Sequence, residues 1–186
     1  MDKITIFNKN HPKIKFKFVD NSTIELIEKL EDRKLDFIID SSPIDTIYNN
    51  IIIKRIDLID TCFIKSSRNE SNIVKLKDLL NEKIILPSQW GSLRKNLDSS
   101  LNKKGIILNP IMEFETEELI IDAVRKNLGV GYVLKPAVSY LVNANILETI
   151  ELKEKLPSIE LNIVYIEKYL NKLSKVFIEE VIMNEK

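Results

Sequence analysis

Residues 13–39 read Lys13-Ile14-Lys15-Phe16-Lys17-Phe18-Val19-Asp20-Asn21-Ser22-Thr23-Ile24-Glu25-Leu26-Ile27-Glu28-Lys29-Leu30-Glu31-Asp32-Arg33-Lys34-Leu35-Asp36-Phe37-Ile38-Ile39. Three patterns follow one another here. Ile14, Phe16 and Phe18 alternate with lysines, the period of a strand with one wet face. Asn21-Ser22 stops it, and Ser22 with Glu25 has the spacing of a capping box. Ile24, Ile27 and Leu30 then recur at helical intervals to Arg33, with Leu26 beside them widening the apolar face. Leu35 to Ile39 closes on a continuously apolar run, as in a strand covered on both sides. Strand, helix and buried strand in this length predict a βαβ unit, hence a parallel sheet with a right-handed crossover.

The same grammar continues outward. Thr61-Cys62-Phe63-Ile64 is apolar, Ser66 to Asn72 is a polar surface loop, and Lys75 to Leu80 is a short helix. Ile84 to Leu86 (strand) precedes a helix from Ser92 to Leu101, whose Leu93, Leu97 and Leu101 recur every fourth residue. Ile111 to Phe114 (strand) precedes a helix headed by Thr116 and ended by Gly129, with Leu119, Ile120, Ala123, Val124 and Leu128 as its stripe. Val130 to Leu134 and Leu161 to Ile166 read as strands, and so does Leu147 to Leu152. Pro136 suits the first turn of a helix, and Leu173, Val176, Phe177 and Val181 give a last helix its buried side. The class is α/β throughout.

Composition narrows function. At 186 residues the chain fits one domain or two small lobes, and 44% hydrophobic with 30% charged residues is ordinary for a globular protein. One histidine, His11, in the turn-like Asn10-His11-Pro12, and one cysteine, Cys62, are too few for disulfides, zinc sites or Cys-His chemistry. The four glycines build neither a P-loop nor a dinucleotide fingerprint. No enzyme, cofactor or metal is expected. Twenty-eight basic and 28 acidic residues cancel, so no overall field draws nucleic acid. No apolar run reaches the ~18 residues of a membrane span and no signal peptide leads the chain. With a lone thiol in apolar sequence, a cytoplasmic protein is expected.

Laid end to end, Phe7-Asn8-Lys9-Asn10-His11-Pro12-Lys13-Ile14, then Leu26 to Leu30 and Leu35-Asp36-Phe37-Ile38-Ile39, resembles the effector-binding domain of LysR-type transcriptional regulators. Leu76-Lys77-Asp78-Leu79, Ile84 to Leu97, Ala123-Val124, Leu128-Gly129-Val130-Gly131-Tyr132 and Leu156-Pro157 fall, in order, at further family landmarks. The resemblance implies a periplasmic-binding-protein-like (type 2) fold: two α/β lobes joined by two crossover segments, with a small effector in the cleft between. Lobe one would be 1–61 plus 165–186 and lobe two 62–164. In the family a winged helix-turn-helix, a linker helix, and a first strand and helix precede such a domain. The chain begins at Met1-Asp2-Lys3-Ile4 inside that last helix, so DNA would be contacted only through a segment absent from this chain. The family also implies a homodimer or a higher oligomer, built partly on the Ser22 to Arg33 helix.

In that architecture, loops at strand C-termini face the effector, which singles out Ser41, Ser42, Ser88, Trp90, Ser92 and Thr116. Hydroxyls and free helix N-terminal amides can grip a polar ligand without catalysing anything. Each has an ordinary reading too: Ser92 and Thr116 as plain N-caps, the other serines as turn residues, Trp90 as a packing residue. Glu115, Glu117 and Glu118 crowd one helix start and favour a neutral or cationic effector. The leading expectation is a ligand-sensing regulatory domain; the alternative is a stand-alone solute-binding protein of the same fold.

Overall fold

The computed structural model describes residues 2–41, 44 and 48–183. The chain divides into two compact units, residues 1–57 with 160–186 and residues 58–159.

In the first unit, α1 (Asp2–Asn10) and α2 (Thr23–Glu31) precede β1 (Ile38–Ser41) and β2 (Ile52–Ile59), and β8 (Ile159–Tyr165) lies between those strands in the order β1-β8-β2. The capping box of α2 is formed: Glu25 N–H donates to Ser22 Oγ (3.4 Å) and Ser22 N–H to Glu25 Oε2 (3.2 Å). The helix buries Leu26, Ile27 and Leu30 and leaves Ile24 71% exposed, so Ile24, not Leu26, is the apolar residue off the buried stripe. At ~100° per residue, positions 26, 27 and 30 fall within one arc of ~100° and position 24 falls outside it. After Tyr165 the chain ends in α6 (Lys172–Phe177), continued by a π-helical turn, Ile178–Met183.

The expected βαβ unit is not what forms. Residues 14–20 carry no strand, and β1 runs antiparallel to β8, Ile38 opposite Val164 and Ser41 opposite Leu161. Period-2 alternation reports which side chains turn inward, and Ile14 and Phe16 do pack against Phe7 and Phe177. A strand also needs a neighbour's backbone, and among the described residues this segment has none.

The second unit holds β3 (Thr61–Ser66), β4 (Ile84–Pro87), β5 (Met112–Phe114), β6 (Val130–Leu134) and β7 (Leu147–Thr149), ordered β5-β4-β6-β3-β7. β4 is parallel to both β5 and β6, while β3 is antiparallel to β6 and β7. Both faces are covered. On one, α3 (Ser92–Asn102) sets Leu97 and Leu101 against Ile84, Leu86, Phe63 and Tyr132, with the 3-10 turn Leu76–Asn81 beside it. On the other, α4 (Glu117–Arg125) and α5 (Lys135–Asn143) set Ile120, Val124 and Val138 against Ile85, Cys62, Ile64 and Val133. The near-continuous apolar strands read in the sequence are therefore strands with two dry faces. Gly131 is the seat of α4: a Cβ there would sit 2.7 Å from Val124 and 2.8 Å from Ile120.

Candidate functional site

β4 and β5 are hydrogen-bonded parallel neighbours ending together, Pro87 opposite Phe114, and the helices that follow them leave to opposite faces of the sheet. Open α/β sheets carry ligands beyond the strand ends at such a divergence. The structure brings four expected residues to this edge.

Ser88 is buried, donates its N–H to Phe114 O (2.8 Å) and accepts from Gly91 N–H (3.1 Å), closing a turn that fastens the loop to β5. Trp90, at the tip of that turn, is 74% exposed and forms no part of the core. Ser92 is half-buried and is the first helical residue of α3; the N-cap is Gly91, which has no side chain to offer, so Ser92 does not cap the helix. The turn explains this, since it leaves Gly91 extended (φ −72°, ψ 148°) immediately before the helix. Thr116 does stand at the N-cap of α4, exposed, but its side chain makes no capping hydrogen bond. At two helix starts on this edge the N-cap residue thus makes no side-chain capping bond.

Ser41 ends β1 and belongs to the first unit, where its N–H donates to Asp40 Oδ1 (2.7 Å). Ser42 lies outside the described residues. His11 follows α1, its ring 4.4 Å from that of Phe7 and its Nε2 3.4 Å from Glu180 Oε2.

Two charged residues organise the edge in roles that the sequence reading missed. Arg94 is buried beneath the Ser88 turn: Nε donates to both oxygens of Asp98 (3.0 and 2.8 Å), and Nη1 to Glu113 Oε1 (2.9 Å) and Pro87 O (3.2 Å). Burial alone would lower its pKa, but the hydrogen bonds to Glu113 and Asp98 outweigh it and the guanidinium stays charged. One side chain so ties β4, α3 and β5 together. An Asp at i+4 from an Arg was the available signal, though spacing alone does not distinguish a buried pair from a surface one. Glu117 is half-buried and accepts from Leu134 N–H (2.6 Å), bracing the end of β6. Burial raises its pKa, the Leu134 amide pulls it back, and nearby Glu118 adds to the rise. Of the three acids expected to repel an anion, only Glu115 and Glu118 remain exposed.

A cavity of about 240 Å³ opens elsewhere on this sheet, lined by residues 60–62, 135, 149–152 and 154–156, none of them among the six expected contacts. Cys62 lines it as a buried thiol whose pKa desolvation pushes up to about 12, so it stays protonated and unreactive. Among the described residues, no group of three or more His, Cys, Asp or Glu could hold a metal ion, and no helix is long and apolar enough to cross a membrane.

Comparison with known proteins bears on the fold and the family. The chain is similar to the HTH-type transcriptional regulator SoxR of Arthrobacter sp. (strain TE1826), 24% identical over 152 residues, 82% of this chain and 50% of that protein. It thus spans about half the length of the curated relatives it matches. Among solved structures it resembles the effector-binding domain of QuiR in complex with shikimate, at TM-score 0.80 and 19% identity, covering 98% of this chain and 88% of that one. It resembles the Synechocystis PCC6803 CcmR regulatory domain in complex with 2-PG at TM-score 0.82 and 12% identity, with the same coverage. At these identities the likeness is one of fold, the type 2 periplasmic-binding-protein-like fold of LysR effector domains. The family profile of the LysR substrate binding domain matches residues 2–184, so the chain belongs to that family.

Proposed function

We propose that this chain is the sensing domain of a LysR-type transcriptional regulator and that a small polar metabolite is read at the C-terminal edge of the β4–β5 pair. The observation that carries this is the pair of helix starts without side-chain caps, with Trp90 exposed beside them. Ser88, Trp90, Ser92 and Thr116 are the proposed contacts there; Ser41 and Ser42 are carried by family resemblance alone. Two structural neighbours are complexes with shikimate and with 2-PG, which supports a small-molecule ligand here as well. What the site offers is hydroxyls and backbone amides, groups that suit binding a polar molecule. The stand-alone solute-binding alternative is less favoured, because the curated relatives are transcriptional regulators.

The whole protein is proposed to act in the cytoplasm as a homodimer or higher oligomer, and to contact DNA through sequence outside these 186 residues. Charge neutrality supports the last point. So does Arg94, the first of the polar residues on α3 that could have read bases, because it is buried in ion pairs. Ile24, exposed on α2, is the residue to change in testing the dimer: Ile24→Glu should lower the mass seen by light scattering, and an unchanged mass would remove α2 from the interface. A thermal-shift screen against a metabolite library tests the sensing role. At least one compound should raise Tm in a saturable way, and a library with no such compound would contradict the reading.

A further inference from the structure

The cavity on the second unit is separate from the loops proposed to read the effector. It lies at the C-terminal ends of β6 and β7 and the start of β3, farther along the same edge of the sheet from the loops that follow β4 and β5, in the order β5-β4-β6-β3-β7. Its volume, about 240 Å³, is below the range of drug-sized sites and fits a compact metabolite.

The framework of the cavity is fixed by hydrogen bonds. Tyr132 Oη, fully buried, donates to Thr61 Oγ1 (2.7 Å), and Thr61 Oγ1 donates to Pro157 O (2.7 Å). Ser158 Oγ donates to Asp60 Oδ1 (3.0 Å), and Lys135 N–H to Asp60 O (2.8 Å). These bonds commit the Thr61 hydroxyl and one oxygen of Asp60. Glu154 is committed as well, accepting from Leu76 N–H (3.1 Å).

What remains is of mixed sign. Lys135 and Lys155 line the cavity with no hydrogen-bond or ion-pair partner for their ammonium groups among the described residues, and Glu151 lines it equally unpaired. Counting every ionisable side chain of the lining apart from the neutral thiol, three carboxylates face two ammoniums. A simple anion would meet the excess of acid. A simple cation would leave both lysines unsatisfied. A molecule carrying both charges matches both, with Cys62, Ile150 and Leu156 offering apolar surface to a short side chain. We propose that this cavity binds a compact zwitterion of the α-amino-acid class, its carboxylate toward Lys135 and Lys155 and its ammonium toward Glu151.

The proposal is independent of the effector reading and is tested without it. Each proteinogenic L-amino acid is titrated calorimetrically into the chain, up to about 10 mM, a ceiling that detects millimolar Kd values. For any binder, the amine lacking the carboxylate and the acid lacking the ammonium are titrated in parallel. At least one amino acid should bind saturably, and each truncated analogue should bind at least roughly tenfold more weakly. Lys135→Gln and Glu151→Gln should each weaken it by a similar factor, whereas Lys104→Gln, an exposed lysine away from the cavity, should not. Both cavity residues are exposed, so melting curves should show these variants folded. No heat with any amino acid, an analogue binding as tightly as its parent, or affinity indifferent to both cavity substitutions would overturn the proposal.

Discussion

The two units fold by different means. The second closes a five-stranded sheet between helices on both faces, with Phe63, Ile64, Ile85, Leu86, Tyr132 and Val133 wholly inaccessible. The first spreads its apolar residues over three small clusters around three strands, and leaves Phe18, Ile24 and Ile53 exposed. A sheet with two dry faces specifies its strands through composition alone. A small sheet whose flanking strands β1 and β2 are largely exposed or half-buried depends on which strand lies beside which, and a single strand's sequence does not contain that information.

The contrast can be broken by truncating one aromatic in each unit. Phe63→Ala, deep in the second unit, should cost about 3–5 kcal/mol. Phe16→Ala, half-buried and outside any ladder, should cost about 1 kcal/mol, since only part of the ring's transfer energy is at stake. Urea denaturation compares them, and equal losses would mean that the first unit is as tightly built as the second.

Arg94→Met is next in size. It strands Glu113 and Asp98, each 39% exposed, so the loss should be roughly 2–3 kcal/mol, under the ~3–5 kcal/mol of fully buried pairs. Hydrogen exchange should quicken in the Ser88–Gly91 turn; unaltered exchange there would deny Arg94 its role in holding the edge.

These tests also mark where sequence was enough. Leu97 and Leu101, four apart, gave α3 and its buried face, and Ser22 with Glu25 gave the start of α2. Ile14 and Phe16 do turn inward as their alternation announced, whereas Phe18 is exposed and the strand does not form, because pairing is a property of two segments. β2 passed unnoticed, as most of its residues are exposed and it reads Ile-Ile-Lys-Arg-Ile-Asp-Leu-Ile. Of the site, strand-end positions were legible from Ser88 to Thr116. The burial of Arg94 and the turning of Glu117 toward Leu134 were not, since both depend on chain brought in from other elements.

Glu117→Gln should have a smaller effect with a distinctive pH profile. A carboxyl whose folded pKa is raised contributes stability that is full below the unfolded value and is lost as pH rises through the folded value. Glutamine keeps an oxygen for Leu134 N–H and removes the charge, so the variant should be as stable as the parent or more so at pH 7, with a flatter profile just above pH ~4.5. A variant less stable at pH 7 would show that the charged hydrogen bond outweighs desolvation. Smallest of all is Thr116→Ala: with no capping bond to lose, its stability should stay within about 0.5 kcal/mol of the parent, and a larger drop would reveal a cap formed in solution.

The most direct test of the sensing edge uses Trp90, the only tryptophan of the chain, as its own reporter. A metabolite found by thermal shift is titrated against Trp90 fluorescence in the parent and in Ser92→Ala and Thr116→Ala. The account predicts a saturable change in emission, with affinity weakened roughly 2- to 13-fold by at least one substitution, as the loss of one hydrogen bond to a neutral group requires. A metabolite that binds while Trp90 emission and the affinity of both variants stay unchanged would contradict it.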